Sequence, residues 1–303
     1  MNVWQPEPGE TLLSRAPVTF ATGAATRVKG MRWFRDTDGN DIQHELPGWP
    51  EGPSFTARST TGIAARKSLK GAAMVVGAAI MAVISAAGGN LSTPSDDSGS
   101  DTPDDPSEEV DDFPVMWAAP GTIARTLPWQ LDQDRFDQKH HCTHAIVTDR
   151  RLVIVSLPFN KKDFEAIDDD VLWECSRADI RNVELKDFKD GNDFKVVFVD
   201  GSWCRLSCNW RRKLTRYLVE PVEILPLESL NAKQRETVLA FAASVQMPES
   251  VSPIIARNSC GHYWVDILLP SRFTSAFGAS ETSILMDSEG DEVDIVDYHP
   301  EDF

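Results

Sequence analysis

The sequence predicts an α+β chain that is mostly β: a meander of short strands closed by one amphipathic helix. Three observations carry that expectation. Runs of β-branched and aromatic residues recur between 145 and 208, joined mostly by tight polar turns. A helical apolar stripe follows at once, with Trp210, Leu214, Tyr217 and Leu218 spaced i, i+4, i+7 and i+8. The charge is segregated rather than mixed. The stretches 91–113 and 281–303 hold nine acids each and no Lys or Arg, so with a net charge of −17 the remainder stands at +1.

The meander is read as six strands. Ala145 to Thr148 turns through Asp149, Arg150 and Arg151 into Leu152 to Val155. Val171 to Cys175, built around Trp173, is the third, and Ile180 to Leu185 the fourth. Phe194 to Val199 then pairs across Asp200-Gly201 with Trp203 to Cys208. A strand near Thr122 to Leu127 would make seven. Trp173, Val197 and Leu214 are expected to share the core. Arg211, Arg212 and Arg216 fall off the helical stripe, and Asn209 is placed to cap that helix.

The sequence divides into an N-terminal β region at 1–55, a hydrophobic helix at 65–91, an acidic disordered linker at 92–113 and the central strands at 114–220. A helix and strand extension at 221–280 and an acidic tail at 281–303 complete it. The linker has almost no apolar side chain to offset chain entropy. The tail mixes its acids with Ile284, Leu285 and Met286, which leaves room for an edge strand. In the N-terminal region, Asp36 to Asn40 reads as a hairpin turn between Arg27–Arg35 and Ile42–Leu46. It also resembles a calcium loop, but Gly39 stands fourth where an EF-hand needs its glycine sixth.

Residues 71–89 carry no charge. As a helix they would extend about 28 Å, close to a hydrocarbon core of about 30 Å. Small residues recur four apart, as in Ala73 and Gly77, and Arg66, Lys67 and Lys70 flank one end. Two readings stay open: contact with or entry into a membrane, or an Ala/Gly helix packed inside the protein or an oligomer.

Thr148-Asp149-Arg150-Arg151-Leu152, then Trp173, Ser176-Arg177-Ala178-Asp179-Ile180, Phe198-Val199-Asp200-Gly201-Ser202 and the closing helix form an ordered set. Together they resemble bacterial pleckstrin-homology-like or GRAM-like domains over about residues 120–220. That resemblance implies a seven-stranded barrel closed by a C-terminal helix, used for lipid headgroups, peptides or self-assembly, and does not imply catalysis.

Candidate binding residues are Arg27, Lys29, Arg32, Trp33 and Arg35, a basic-aromatic run suited to anionic headgroups. An ordinary amphipathic strand explains the same pattern. His140-His141-Cys142-Thr143-His144 has ligand-type side chains but no placed partners, so no metal and no cofactor are expected. Cys204 and Cys208 read as an apolar row. The five cysteines fit reduced cytosolic thiols, and the first thirty residues lack a secretory pattern. Without a basic field, nucleic acid is not an expected partner. No nucleotide loop, nucleophile elbow or zinc-protease motif is present. The expected protein is a non-enzymatic binding or adaptor protein on the cytoplasmic face of a bacterial membrane, with lipid, membrane-protein, peptide or self-association partners. A soluble interaction protein and an enzyme of unrecognised type are the alternatives.

Overall fold

Tight turns and alternating apolar residues produce a β-rich chain with two α-helices among the described residues. The structure is a computed structural model. It describes residues 4–21, 28–29, 34–51, 56–57, 114–132, 135–136, 141–158, 169–186, 192–219, 222–245, 252–268, 281–299 and 302. The uncharged segment 71–89 and the linker 92–112 lie outside the described residues, as do Arg27, Arg32 and Trp33.

The first strands are β1 (Leu12–Pro17), β2 (Thr19–Phe20), β3 (Val28–Lys29), β4 (Phe34–Arg35), β5 (Thr56–Ala57) and β6 (Met116–Trp117). Then come β7 (His141–Thr148), β8 (Arg151–Pro158), β9 (Asp170–Ser176), β10 (Ile180–Lys186), β11 (Asp193–Phe198) and β12 (Trp203–Ser207). Helix α1 (Arg211–Val219) follows, then β13 (Glu223–Leu225), α2 (Ala232–Ser244), β14 (Ile254–Arg257), β15 (Tyr263–Leu268) and β16 (Glu281–Met286).

One sheet runs β1-β7-β8-β9; a second runs β10-β11-β12-β6-β4, with β2 also paired to β12. The chain passes between these sheets at both edges. At one, β1 continues through Val18 into β2, and Val18 and Thr143 exchange hydrogen bonds at the bend. At the other, a capping box joins β9 to β10: the Ser176 hydroxyl accepts from Ala178 N, and the Asp179 carboxylate accepts from Ser176 N.

The strand expected at Thr122–Leu127 is a 3-10 turn over Ile123–Thr126 instead. Gly121 has a left-handed φ of 79°, Pro128 follows, and the Asp200 carboxylate and Ser202 hydroxyl accept from the Ile123 and Ala124 amides. Those side chains hold the amides that a ladder would use. The strand that completes the first sheet is β1, which pairs with β7 over Leu12–Pro17. It ends at Pro17, 124 residues before β7 begins at His141. Likewise, the run from Ile42 to Leu46 contains a 3-10 turn at Gln43–Glu45 rather than a second hairpin strand.

Leu13, Ile154, Trp173, Phe194, Val196 and Phe198 pack with Leu214 and Tyr217 of α1 in one buried cluster. Val196 is fully buried, whereas Val197 is only partly so and points to the other face. The expected core residue was therefore one position off. Lys195 and Val197 share the outer parity, and Lys195 there lies 4.1 Å from the Trp203 ring. The helix stripe holds as expected, with Leu214, Tyr217 and Leu218 buried. The Asn209 side-chain oxygen accepts from Asn192 Nδ2 at 3.0 Å. Cys204 and Cys208 are buried in the core.

The third sheet, β13-β14-β15-β16, is covered on both faces. Ile255, Val265 and Ile284 stand in register on one side, with Val238 of α2. Ala256, Trp264 and Leu285 stand on the other and join the main core. Residues 281–286 of the acidic tail thus form the edge strand their apolar side chains left room for. Tyr217 donates to Asp266, and Arg216 lies 4.0 Å from the Trp264 ring, so α1 is bonded to this sheet as well as to the first two.

Candidate functional site

The hairpin between β14 and β15 has a compact geometry. Asn258 N donates to His262 O, Gly261 N donates to Asn258 O, and Gly261 has φ 96°. This reversal brings Cys260 and His262 to the same corner. Asp302 enters that corner from the end of the chain, with its side chain fully buried. Its Oδ1 accepts from Asn258 Nδ2 at 2.7 Å and from Cys260 Sγ at 3.2 Å. Its Oδ2 meets His262 Nδ1 at 2.9 Å and accepts from His299 N at 2.8 Å. Trp264 Nε1 donates to the Asp302 carbonyl, which fixes the backbone too. The His299 ring meets the His262 ring edge-on, with centroids 5.1 Å apart.

Burial alone would raise the Asp302 pKa, but hydrogen bonds from His262, Asn258, the His299 amide and Cys260 hold it below the ordinary carboxylate range. The carboxylate is an anion facing a thiol and an imidazole. Among the described residues, Cys260, His262 and Asp302 form the group of His, Cys and acidic side chains able to share a metal ion, with ligand atoms within 4.8 Å of one another. Asn258-Ser259-Cys260-Gly261-His262 and His299-Pro300-Glu301-Asp302 contain Cys-x-His and His-x-x-Asp spacings that sequence reasoning passed over.

Of the histidine cluster at 140–144, His140 lies outside the described residues, and His141, Cys142 and His144 are not brought together in this way. His144 is fully buried and its Nδ1 accepts from Arg15 Nε at 3.2 Å. Burial, and then the Arg15 charge, push its pKa well down. Burial pushes the Cys142 thiol up to about 12, and His141 packs against the Phe136 ring, centroids 5.0 Å apart. Arg15 in turn makes a two-pronged pair with Asp169, both contacts at 2.7 Å, and Trp4 N donates to the same carboxylate.

The basic-aromatic run is divided. Lys29 lies in β3 opposite Thr56. Arg35 is buried, with Asp41 at 3.7 Å, so its guanidinium faces the interior of the chain. The turn between them and β6 is as expected: Asp36 N donates to Asn40 O, and the Asp36 carboxylate accepts from the Asp38 and Asn40 amides.

The Thr148–Leu152 hairpin grips the N-terminus. Arg151 Nε and one terminal nitrogen each reach Glu10 at 2.9 Å, and the other terminal nitrogen reaches Glu174 at 2.9 Å. Thr148 Oγ1 donates to Glu10 at 2.7 Å. Burial would raise the Glu10 pKa, but Arg151, Thr148 and the Glu7 amide outweigh it and draw it from 4.5 to about 2. Its folded value is below its unfolded value, so its contribution is complete above pH 4.5 and lost as pH falls toward 2. Glu10→Gln is expected to cost on the order of 2 kcal/mol at neutral pH and to flatten the fall of the thermal midpoint between those limits. Parallel wild-type and variant melts across that window, with no change in slope, would remove Glu10 as a contributor.

No protein-family model matches the chain, and neither a curated protein nor a solved structure matches it.

Proposed function

We propose that this chain is a non-enzymatic binding or adaptor protein at the cytoplasmic face of a bacterial membrane, built on a pleckstrin-homology-like barrel. In this reading the barrel is not contiguous. Residues 12–20 supply its first strand, β7 to β12 supply the other six, and α1 closes it. The support is the strand path: an antiparallel sheet and a second sheet that is antiparallel except for the β4–β6 pair exchange the chain through β1–β2 and β9–β10, with α1 packed on the shared core. The region between the first and second barrel strands then becomes an insertion at 22–140 that contains the uncharged segment.

That path constrains any lipid contact. Phe34 and Arg35 pair in parallel with Met116 and Trp117, and β1 pairs with β7. Both flanks of 71–89 therefore belong to one folded body. A single crossing would separate them by a hydrocarbon core of about 30 Å, and 19 uncharged residues are too few for two crossings. No helix among the described residues is long and apolar enough to cross a membrane. In this reading the segment lies in the interface or re-enters the same leaflet. Arg66, Lys67 and Lys70 face anionic headgroups there, each adding about 1 kcal/mol. Arg27, Lys29 and Arg32 are the further basic contacts; Arg35 is committed to the interior. The barrel remains free for a peptide or protein partner.

Membrane fractionation with carbonate and detergent washes tests this. The full chain is expected in the membrane fraction, and a form lacking 71–89 in the soluble fraction. Full-length protein that is soluble and monomeric without detergent would end the membrane reading and favour an internally packed Ala/Gly helix.

A further inference from the structure

The geometry points to a zinc site formed by Cys260, His262, His299 and Asp302, which ties the end of the chain to the β14–β15 hairpin. Three of these residues already present ligand atoms to one another. Cys260 Sγ lies 3.2 Å from Asp302 Oδ1, and His262 Nδ1 lies 2.9 Å from Oδ2. A tetrahedral zinc with bonds of about 2.0–2.3 Å holds its ligand atoms roughly 3.4–3.6 Å apart. The two contacts fall on different carboxylate oxygens, so the Asp302 carboxylate has to turn one oxygen toward both partners and the spacings open by a few tenths of an ångström; the three ligand atoms already lie within 4.8 Å of one another. His299 is exposed and its ring already touches that of His262, so a side-chain rotation supplies the fourth ligand.

The surroundings are those of a metal ligand's outer shell. Asn258 Nδ2 and His299 N each donate to one oxygen of the buried carboxylate, and Trp264 holds its backbone. Such bonds orient a ligating carboxylate and leave its remaining lone pairs directed at the ion. The proton account is simple. Zinc, bound to one Asp302 oxygen, replaces the two hydrogen bonds that Cys260 and His262 now make to the carboxylate. The Cys260 proton leaves to solvent, and the His262 ring proton moves from Nδ1 to Nε2. Two positive charges then meet one thiolate and one carboxylate, so the site is neutral. A sulfur, imidazole and carboxylate set suits zinc better than magnesium or calcium, which prefer all-oxygen shells. Four protein ligands leave no open position, so the ion is structural rather than catalytic.

The full chain purified without chelator is expected to carry about one zinc per molecule by elemental analysis. In a Cys260→Ser, His262→Ala double variant that content should fall below roughly a tenth of the wild-type value. Cobalt loading gives a signature of the sulfur ligand. The wild type and Cys142→Ser should show a thiolate-to-cobalt charge-transfer band that Cys260→Ser lacks. A wild-type measurement covers the case in which the variants fail to fold. Zinc should slow alkylation of Cys260, mapped by mass spectrometry, at least tenfold relative to zinc-free protein. Absence of the band in cobalt-saturated wild type, or its survival in Cys260→Ser, overturns the site. So does Cys260 alkylation that zinc leaves unchanged.

Discussion

Val196→Asp is expected to leave the first two sheets unfolded at room temperature, while Val197→Asp, one residue along, still melts cooperatively. Val196 is fully buried and stands opposite Cys204, inside the cluster that includes Phe194, Phe198 and Leu214. Among these neighbours a carboxylate meets no cation and only the weak thiol donor of Cys204. An uncompensated buried charge costs several kcal/mol, comparable with the 5–15 kcal/mol that a typical domain has in total. Val197 stands opposite Trp203 on the outer parity and is only partly buried. Its replacement costs lost apolar contact, about 1–2 kcal/mol. Circular dichroism melts of the two variants decide between the parities. Equal destabilisation, or the reverse order, would mean that the β11 register is wrong.

That pair of residues also shows what was legible in the sequence. The strands from β7 to β12 were readable because short β-branched runs alternate with Asp-Gly-type turns. The parity of β11 was harder, since Phe194, Val196 and Phe198 compete with Val197 and Val199 for the inner face. Lys195 breaks the tie, because a lysine in the middle of a strand marks the solvent side. The stripe on α1 was readable for the same periodic reason. The first strand of the first sheet was readable as a strand, from Leu12-Leu13 and Val18-Thr19-Phe20 in the run Thr11–Phe20, but its pairing was not: nothing local to Leu12–Pro17 says that its partner is His141–Thr148. Its neighbour in sequence, Asp36–Asn40, is a turn of the same kind as Asn258–His262 and Asp287–Asp291. Each opens with Asp or Asn, has Gly fourth and bonds its first amide to its fifth carbonyl. The Cys260–Asp302 corner was only half legible: Cys-x-His and His-x-x-Asp spacings stand in the sequence, but the carboxylate comes from 40 residues beyond the histidine it meets. Spacing motifs find ligands held on one local element; they do not find ligands joined by tertiary packing.

Gly290→Ala is expected to destabilise the C-terminal sheet by about 3 kcal/mol or more, whereas Gly39→Ala in the equivalent turn costs about 1 kcal/mol. Both glycines have left-handed φ, 97° at Gly290 and 81° at Gly39, so each substitution pays for a conformation that side chains disfavour. The difference lies in what the new methyl group meets. At Gly39 nothing lies within 4 Å. At Gly290 it would stand 2.7 Å from Gln234 N, 3.0 Å from Lys233 C and 3.1 Å from Gln234 Cα. These are backbone atoms in the first turn of α2, and they cannot rotate away as a side-chain tip can. That turn is held by the Asn231–Gln234 capping box. The 287–291 loop is bonded to it through Ser288 O, which accepts from Asn231 and Gln234, and Gly290 O, which accepts from Thr237. Relief of the clash must push the loop off the helix and break those bonds, exposing Val238 and the Ile255, Val265 and Ile284 face beneath α2. Hydrogen exchange should therefore rise in Ala232–Ser244 and Glu281–Met286 in Gly290→Ala and stay near wild type in Gly39→Ala. If the two variants melt together, or if exchange rises in β7 and β8 instead, the loop does not clamp α2 as the close approach at Gly290 requires.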